Sequence, residues 1–353
     1  MFRSEPVLDD RTEEARLQMA ELGVGVVGLG MGRSLLAVNG MPDFPATVRG
    51  VCDLVDDATA AAKKEFGVEF TTNRIDALLD RPDIDIVGIY TPDHLHKDQV
   101  IQALEAGKHV LVTKPMSINS QESEEIISAV KRTGKRVMPA QTQRYVQSHM
   151  AVRRFIDQGE FGDIYFVAAD YYQDLRPVYD HTPWRYQHPQ DFIYGGLSHN
   201  IDTMRFLKGE IVEVGGYGMN SGLDPRYPEG IFETFVLNTR FEDGTIGRIA
   251  MAPAVRPPLP NIYVQVFGTS GTFVPNQIVL DSFEGKPVID FDFTSENWSF
   301  AEIRVLRNFV DSILADKPQA LNEIDGARIT AVGDAITASV TSDGSPRKVR
   351  LDF

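Results

Sequence analysis

The chain has 353 residues, too many for one ordinary core and enough for two domains of roughly 100–200 residues each. Hydrophobic residues at 42% and charged residues at 24% exclude a fibrous or extensively disordered chain, and a formal charge of −15 without a basic run argues against nucleic acid or anionic lipid as partner. The single cysteine, Cys52, excludes an internal disulfide and suits a reducing cytoplasm, while no apolar run approaches the ~18 residues of a membrane span.

Residues 1–22 read as an N-terminal extension with mixed charge, no signal-peptide core, and helical spacing from Thr12 to Leu22. From Gly23 to Gln141, short apolar runs alternate with helical patterns, the signature of βαβ units and a doubly wound parallel sheet. Strands are predicted at Val24 to Leu29, Ala46 to Asp53, Val68 to Thr71, Ile84 to Tyr90, His109 to Lys114 and Arg136 to Ala140. Helices are predicted at Asp57 to Phe66, Asn73 to Leu79, His94 to Ala106 and Ser120 to Arg132, with Gly67, Gly107 and Gly134 as C-terminal caps. In such a sheet the loops after Leu29, Asp53, Tyr90 and Thr113 converge on one crevice.

The texture changes in residues 142–353, the second predicted domain. A helix around Val152 to Gln158 precedes strands at Ile164 to Tyr172, Ile211 to Tyr217, Phe232 to Phe241, Ile246 to Met251 and Ile262 to Phe267. Their alternation, with Glu242-Asp243-Gly244-Thr245 between two of them, predicts a mostly antiparallel sheet with a tight hairpin. Helical patterns return at Leu197 to Leu207, Phe300 to Ala315 and Asp325 to Ser339.

Four segments carry the candidate chemistry. Gly28, Gly30 and Gly32 at a strand-to-helix turn, with Leu29 and Met31 between them, let backbone amides approach a pyrophosphate; the usual G-x-G-x-x-G spacing would put its last glycine where Arg33 stands. Asp53 follows at the spacing of a carboxylate on the adenosine ribose, or serves only as a strand-end turn. No arginine follows it at 54–57 to hold a 2′-phosphate, which favours NAD over NADP. In TPDHLH, Thr91 and Pro92 end a strand and His94 and His96 open a helix beside the nicotinamide ribose; two residues apart, the histidines face different ways, which argues against joint metal ligation, and His94 equally suits a plain helix start.

Thr113-Lys114-Pro115 places a lysine at the mouth of the crevice, where an ammonium polarises a substrate oxygen. In GGLSHNIDTMRFL, His199 is a candidate proton acceptor, with Asp202 three residues on holding either the substrate or the imidazole, unless the two form a buried hydrogen-bonded pair. Tyr172, Arg176, Trp184 and Arg185 offer aromatic faces and donor forks to a polyhydroxylated ligand, or are ordinary loop and interface residues.

Taken in order, the glycine turn, VCD, TPDHLH, EAGKHVLVTKP, QGEFGDI, GG…HNID, FEDGT, VFGTSGTF and RNFVDSILA resemble the Gfo/Idh/MocA oxidoreductases over nearly the whole chain. The resemblance implies a Rossmann domain and an α/β domain with a large open sheet, NAD as cofactor, and a homo-oligomer, dimer or tetramer, formed through that sheet. It also implies that Lys114 is the lysine of the E-K-P motif and His199 the acceptor of the substrate proton. The activity implied is hydride transfer between nicotinamide and a secondary hydroxyl or carbonyl of a sugar, cyclitol or related polyol. Alternatives are an NAD-dependent redox-neutral glycosidase and a non-enzymatic NAD-binding sensor. Three departures stand out: Thr113 replaces the usual glutamate, the glycine turn is compressed, and Gly195 stands where an aspartate often precedes the histidine by four residues.

Overall fold

The computed structural model describes residues 21–182, 184–187, 192–222, 224–256, 262–275, 277–284, 286–290 and 298–353. The helix expected from Thr12 falls almost wholly outside them, and Leu22 opens the first strand.

Strands β1 (Leu22–Val27), β2 (Ala46–Cys52), β3 (Phe70–Thr72), β4 (Ile86–Ile89), β5 (His109–Thr113) and β6 (Val137–Ala140) form a parallel sheet in the order β3-β2-β1-β4-β5-β6. The inner strands are apolar on both faces because both faces are covered: every residue of β4 and β6 is buried. The covering helices are α1 (Asp56–Phe66), α2 (Ile75–Leu79), α3 (His96–Glu105) and α4 (Ser120–Thr133). Gly67 and Gly134 end α1 and α4 at φ of 68° and 66°, the left-handed conformation that glycine adopts without strain. After the glycine turn the chain winds as a 3-10 helix, Gly32–Gly40, rather than the expected α-helix. The strand order reverses at β1 and β4, so the loops after these two strands part there and leave a crevice.

Helix α5 (Gln147–Asp157) leads to β7 (Ile164–Tyr172), two short helices, α6 (Arg176–Asp180) and α7 (Trp184–Gln187), a π-helical turn at Phe192–Gly196, and α8 (Ser198–Lys208). Then come β8 (Ile211–Met219), β9 (Thr234–Phe241), β10 (Ile246–Ala252), β11 (Ile262–Gly268), β12 (Gly271–Val274), β13 (Gln277–Leu280) and β14 (Pro287–Asp290). Helices α9 (Trp298–Leu314) and α10 (Glu323–Val340) and the short β15 (Arg347–Lys348) close the chain. The second sheet runs β14-β13-β12-β11-β7-β10-β9-β8-β15, nine strands of which only β7 and β10 pair parallel. Alternation sets its two faces: Phe235, Leu237 and Phe241 of β9 are buried, whereas Val236, Asn238 and Arg240 between them are exposed.

The chain does not leave the first core for good at residue 141. Val305, Leu306, Phe309 and Val310 of α9 pack with Val24, Leu35 and Tyr90 of the parallel-sheet domain, because their apolar stripe matches the face left open beside the 3-10 helix. Helix α10 joins the two domains: Ala327 packs with Met116, and Ile329, Val332 and Ile336 pack into the core of the second sheet. Its start is fixed by a reciprocal cap between Asn322 and Asp325. No helix among the described residues is long and apolar enough to cross a membrane.

Candidate active site

The glycine turn is built for close approach. Gly28 has a φ of +88°, and a Cβ there would lie 2.5 Å from the Tyr90 carbonyl oxygen; at Gly32 it would press on Val26 and Tyr90. At Gly30 a Cβ would meet nothing within 4 Å. That open space over the turn suits the diphosphate of a dinucleotide held by backbone amides. The Leu29 side chain lies in the core, and its amide N–H donates to Asp53 Oδ2 at 2.6 Å, while Val55 N–H donates to Oδ1 at 2.9 Å. Asp53 thereby ties the turn to the end of β2 and keeps lone pairs for ribose hydroxyls. Met31 is exposed at the cavity edge.

At the end of β4, Thr91 donates its hydroxyl to Gln99 Oε1 at 2.6 Å. His96 is wholly buried, with Nδ1 at 2.6 Å from the Pro115 carbonyl and Nε2 at 2.8 Å from the Thr91 carbonyl. Its ring is thus a brace between the loops after β4 and β5, not a cofactor contact as expected from sequence. Pro92 carries an extended backbone into the turn at Asp93–Leu95, and the His94 ring sits 6.4 Å from that of Trp184. Thr113 is buried at the end of β5 and does not face the cavity.

One cavity of about 660 Å³ runs from Gly30 and Met31 to Lys114, Gly195 and His199. Lys114 Nζ donates to the Gly195 carbonyl at 2.9 Å, so the position that lacks an aspartate supplies a backbone acceptor instead. At the neighbouring Gly196 a Cβ would stand 2.8 Å from Met251 Cε, so the turn packs closely on β10 there. Burial, opposed by Asp93, brings the Lys114 ammonium down to about 8. Burial and the adjacent Lys114 charge hold the His199 imidazolium well below its ordinary range, so the ring is neutral near pH 7. His199 Nδ1 is buried without a hydrogen-bond partner, and the ring packs edge-on to Tyr171 with centroids 6.2 Å apart.

Several side chains lie elsewhere than sequence alone suggests. Asp202 is fully buried, its oxygens taking Arg144 Nε at 2.8 Å and Nη2 at 2.7 Å; it is a structural ion pair, neither a partner of His199 nor a substrate contact. Tyr172 lies on the opposite face of β7 from the cavity, near Asp170 and Arg248, and the adjacent Tyr171 lines the cavity in its place. Arg176 turns away from the cavity and clasps Asp174 at 2.8 and 2.7 Å. Arg185 lines the cavity and lies over Trp184, its guanidinium carbon 4.4 Å from the ring centroid.

Glu302 of α9, like Tyr171, is a cavity residue that sequence reasoning missed. It lines the cavity, is 5% exposed, and accepts a hydrogen bond from the Tyr90 hydroxyl at 2.7 Å. Burial, opposed by that hydrogen bond and by Lys114, pushes its carboxyl up to about 7. The signal was present, because Glu302 stands three and four residues before Val305 and Leu306 on the apolar stripe of α9.

Residues 22–141 match the oxidoreductase family with an NAD-binding Rossmann fold, and residues 149–274 match the GFO/IDH/MocA C-terminal domain. Levoglucosan dehydrogenase of Pseudarthrobacter phenanthrenivorans is 30% identical over 292 residues, 73% of this chain and 74% of that protein. The chain belongs to the Gfo/Idh/MocA oxidoreductases. It is an NAD-dependent enzyme acting on CH–OH groups. The scyllo-inositol 2-dehydrogenase (NAD(+)) of Bacillus subtilis is 27% identical over 356 residues, covering 96% of this chain and 97% of that protein. The solved structure of levoglucosan dehydrogenase in complex with NADH superposes with a TM-score of 0.84 at 25% identity, covering 94% of this chain and all of the other. Relatives named as dehydrogenases support this Gfo/Idh/MocA chain as a dehydrogenase and lend nothing to the glycosidase and sensor alternatives.

Proposed function

We propose that the cavity binds a small polyhydroxylated molecule, a sugar, cyclitol or related polyol, and that Lys114 and His199 act together on one secondary carbinol. The observation that carries this reading is the single cavity joining Gly30 of the glycine turn to Lys114 and His199. A volume of about 660 Å³ leaves room for a sugar-sized ring beside the cofactor's nicotinamide end. Bound NAD supplies the hydride acceptor, which is the difficult part of the chemistry. His199, neutral and half-buried, accepts the hydroxyl proton as the carbinol becomes a carbonyl. The ammonium of Lys114, held in place by the Gly195 carbonyl, donates a hydrogen bond to the reacting oxygen and stabilises its developing negative charge. Tyr171, Tyr179 and Phe192 wall the cavity and exclude water. Gly28 to Gly32 and Asp53 hold the diphosphate and the adenosine ribose, and Thr91, Pro92 and His94 lie toward the nicotinamide side.

The relatives named for levoglucosan and inositol support a cyclic polyol as substrate. Tyr217, Met219, Val236 and Ile246, all exposed on the second sheet, support a homo-oligomer formed through that face. One buried cysteine and an acidic surface support a cytoplasmic protein.

Absorbance at the reduced-nicotinamide band, with NAD and a panel of sugars, cyclitols and open-chain polyols, tests the function. Growth of the band with a cyclic polyol is the expected result. Silence across the panel while NAD still binds would sink the reading.

A further inference from the structure

The charge inside the cavity opposes the charge of the chain. A protein with a formal charge of −15 places Lys114, Arg185 and Arg33 around one cavity. Arg33 is neutralised by Glu65 at 2.5 Å, and Lys114 is committed to the Gly195 carbonyl and the reacting oxygen. Arg185 differs. Its Nε donates to Thr182 Oγ1 at 3.0 Å, and its plane is steadied by Trp184 and by Tyr179, whose ring centroid is 5.4 Å from the guanidinium carbon. No carboxylate among the described residues pairs with it. The carboxyl group that lines the cavity belongs to Glu302, which is turned to the Tyr90 hydroxyl.

A guanidinium keeps its charge at any working pH. A neutral polyol closing over Arg185 would strip water from that cation between aromatic walls and return no counter-charge, which is costly. A carboxylate matches the remaining donor fork in bidentate fashion and restores neutrality. A phosphate dianion would require a second free cation.

We propose that the substrate is a polyol carrying a carboxylate, of the aldonic- or uronic-acid class, and that Arg185 holds this carboxylate while the carbinol lies between Lys114 and His199. The inference rests on the dehydrogenase reading of the same cavity and adds the charged group that selects among polyols.

The test uses the full chain with NAD and matched pairs of probes, D-gluconate against D-sorbitol and D-glucuronate against D-glucose, in the wild type and in Arg185→Gln and Arg185→Lys. The acids should show KM values about 10- to 100-fold below those of their neutral partners. R185Q should erase that gap and R185K restore part of it. Equal KM values within each pair, or a gap that survives R185Q, would overturn the carboxylate while leaving dehydrogenation intact. A gap unchanged in R185Q alongside weakened NAD binding would assign Arg185 to the cofactor and overturn the inference equally. If no probe is turned over, the dehydrogenase reading fails on that panel, and quenching of Trp184 fluorescence decides the carboxylate separately. Quenching by the acids in wild type and not in R185Q sustains it, and absence of acid-specific quenching overturns it.

Discussion

His199 lines the cavity, whereas His96 is sealed between the loops after β4 and β5 and does not reach it. Each nitrogen of His96 faces a backbone carbonyl, Pro115 on one side and Thr91 on the other, so whichever nitrogen carries the hydrogen donates it to the backbone. The surroundings of His199 leave Nδ1 without a partner, set a cation nearby and open the ring to the cavity. An imidazole with all its partners in the backbone is a brace. One whose capacity is unfilled beside a cavity is poised to take a proton from whatever enters, because the chain itself offers it no better partner.

Replacing the two histidines is the strongest way to break the comparison. His199→Asn should lower kcat by about 10²- to 10⁴-fold with NAD affinity little changed, as expected for loss of a general base. Steady-state rates beside a direct NAD titration check this; a near-wild-type kcat would remove His199 from the reaction. Lys114→Met should come next, costing about 10²- to 10³-fold in kcat through lost charge stabilisation. A variant that raises only KM would show that Lys114 binds the substrate without serving the transition state.

His96→Leu should act through the fold. One of the two strand-end carbonyls loses its donor and the packing between the loops is lost, a cost of about 1–3 kcal/mol read as a lower Tm, and turnover should drop less than in H199N because the brace reaches the reaction only through the Lys114-Pro115 turn. His96→Gln should recover part of the stability through one amide donor. A large loss of kcat at unchanged Tm in H96L would erase the distinction between the two rings.

The same contrast explains what could be read from sequence. The parallel sheet was legible because each strand, cap and glycine follows local periodicity, and Gly28 and Lys114 stand at strand ends that the βαβ pattern already locates. The opposite wall depends on pairings distant along the chain. Asp202 reads from sequence as a partner of the substrate or of His199, whereas both its oxygens are taken by Arg144, 58 residues away. Tyr172 was preferred to Tyr171 because alternation along a strand does not say which face meets a cavity. Glu302 meets Tyr90 across 212 residues, a contact no local pattern announces. Strands β12 to β14 escaped notice: each has only four residues, and they lack the alternation with helices that marked the comparably short β3, β4 and β6.

The smallest expected effect is the most diagnostic, because it tests how the two walls share charge. Lys114 reaches about 8 mainly through burial; Asp93 from the turn after β4 and Glu302 from α9 pull it up, while Arg185 from α7 pushes it down. The ammonium is the working form, so kcat/KM should fall as pH rises through about 8. The neutral ring of His199 is the working base and its shift is downward, so the acid limb should lie below the ordinary histidine range of about 6.5. Glu302→Gln removes a negative charge that favours the ammonium, and the alkaline limb should move to lower pH by up to about one unit. Arg185→Gln removes a repelling positive charge and should move the same limb upward. A limb that stays in place in both variants would mean that the titration seen in kcat/KM belongs to a group other than Lys114. Shifts in opposite directions would be hard to produce by general destabilisation, which moves both variants the same way.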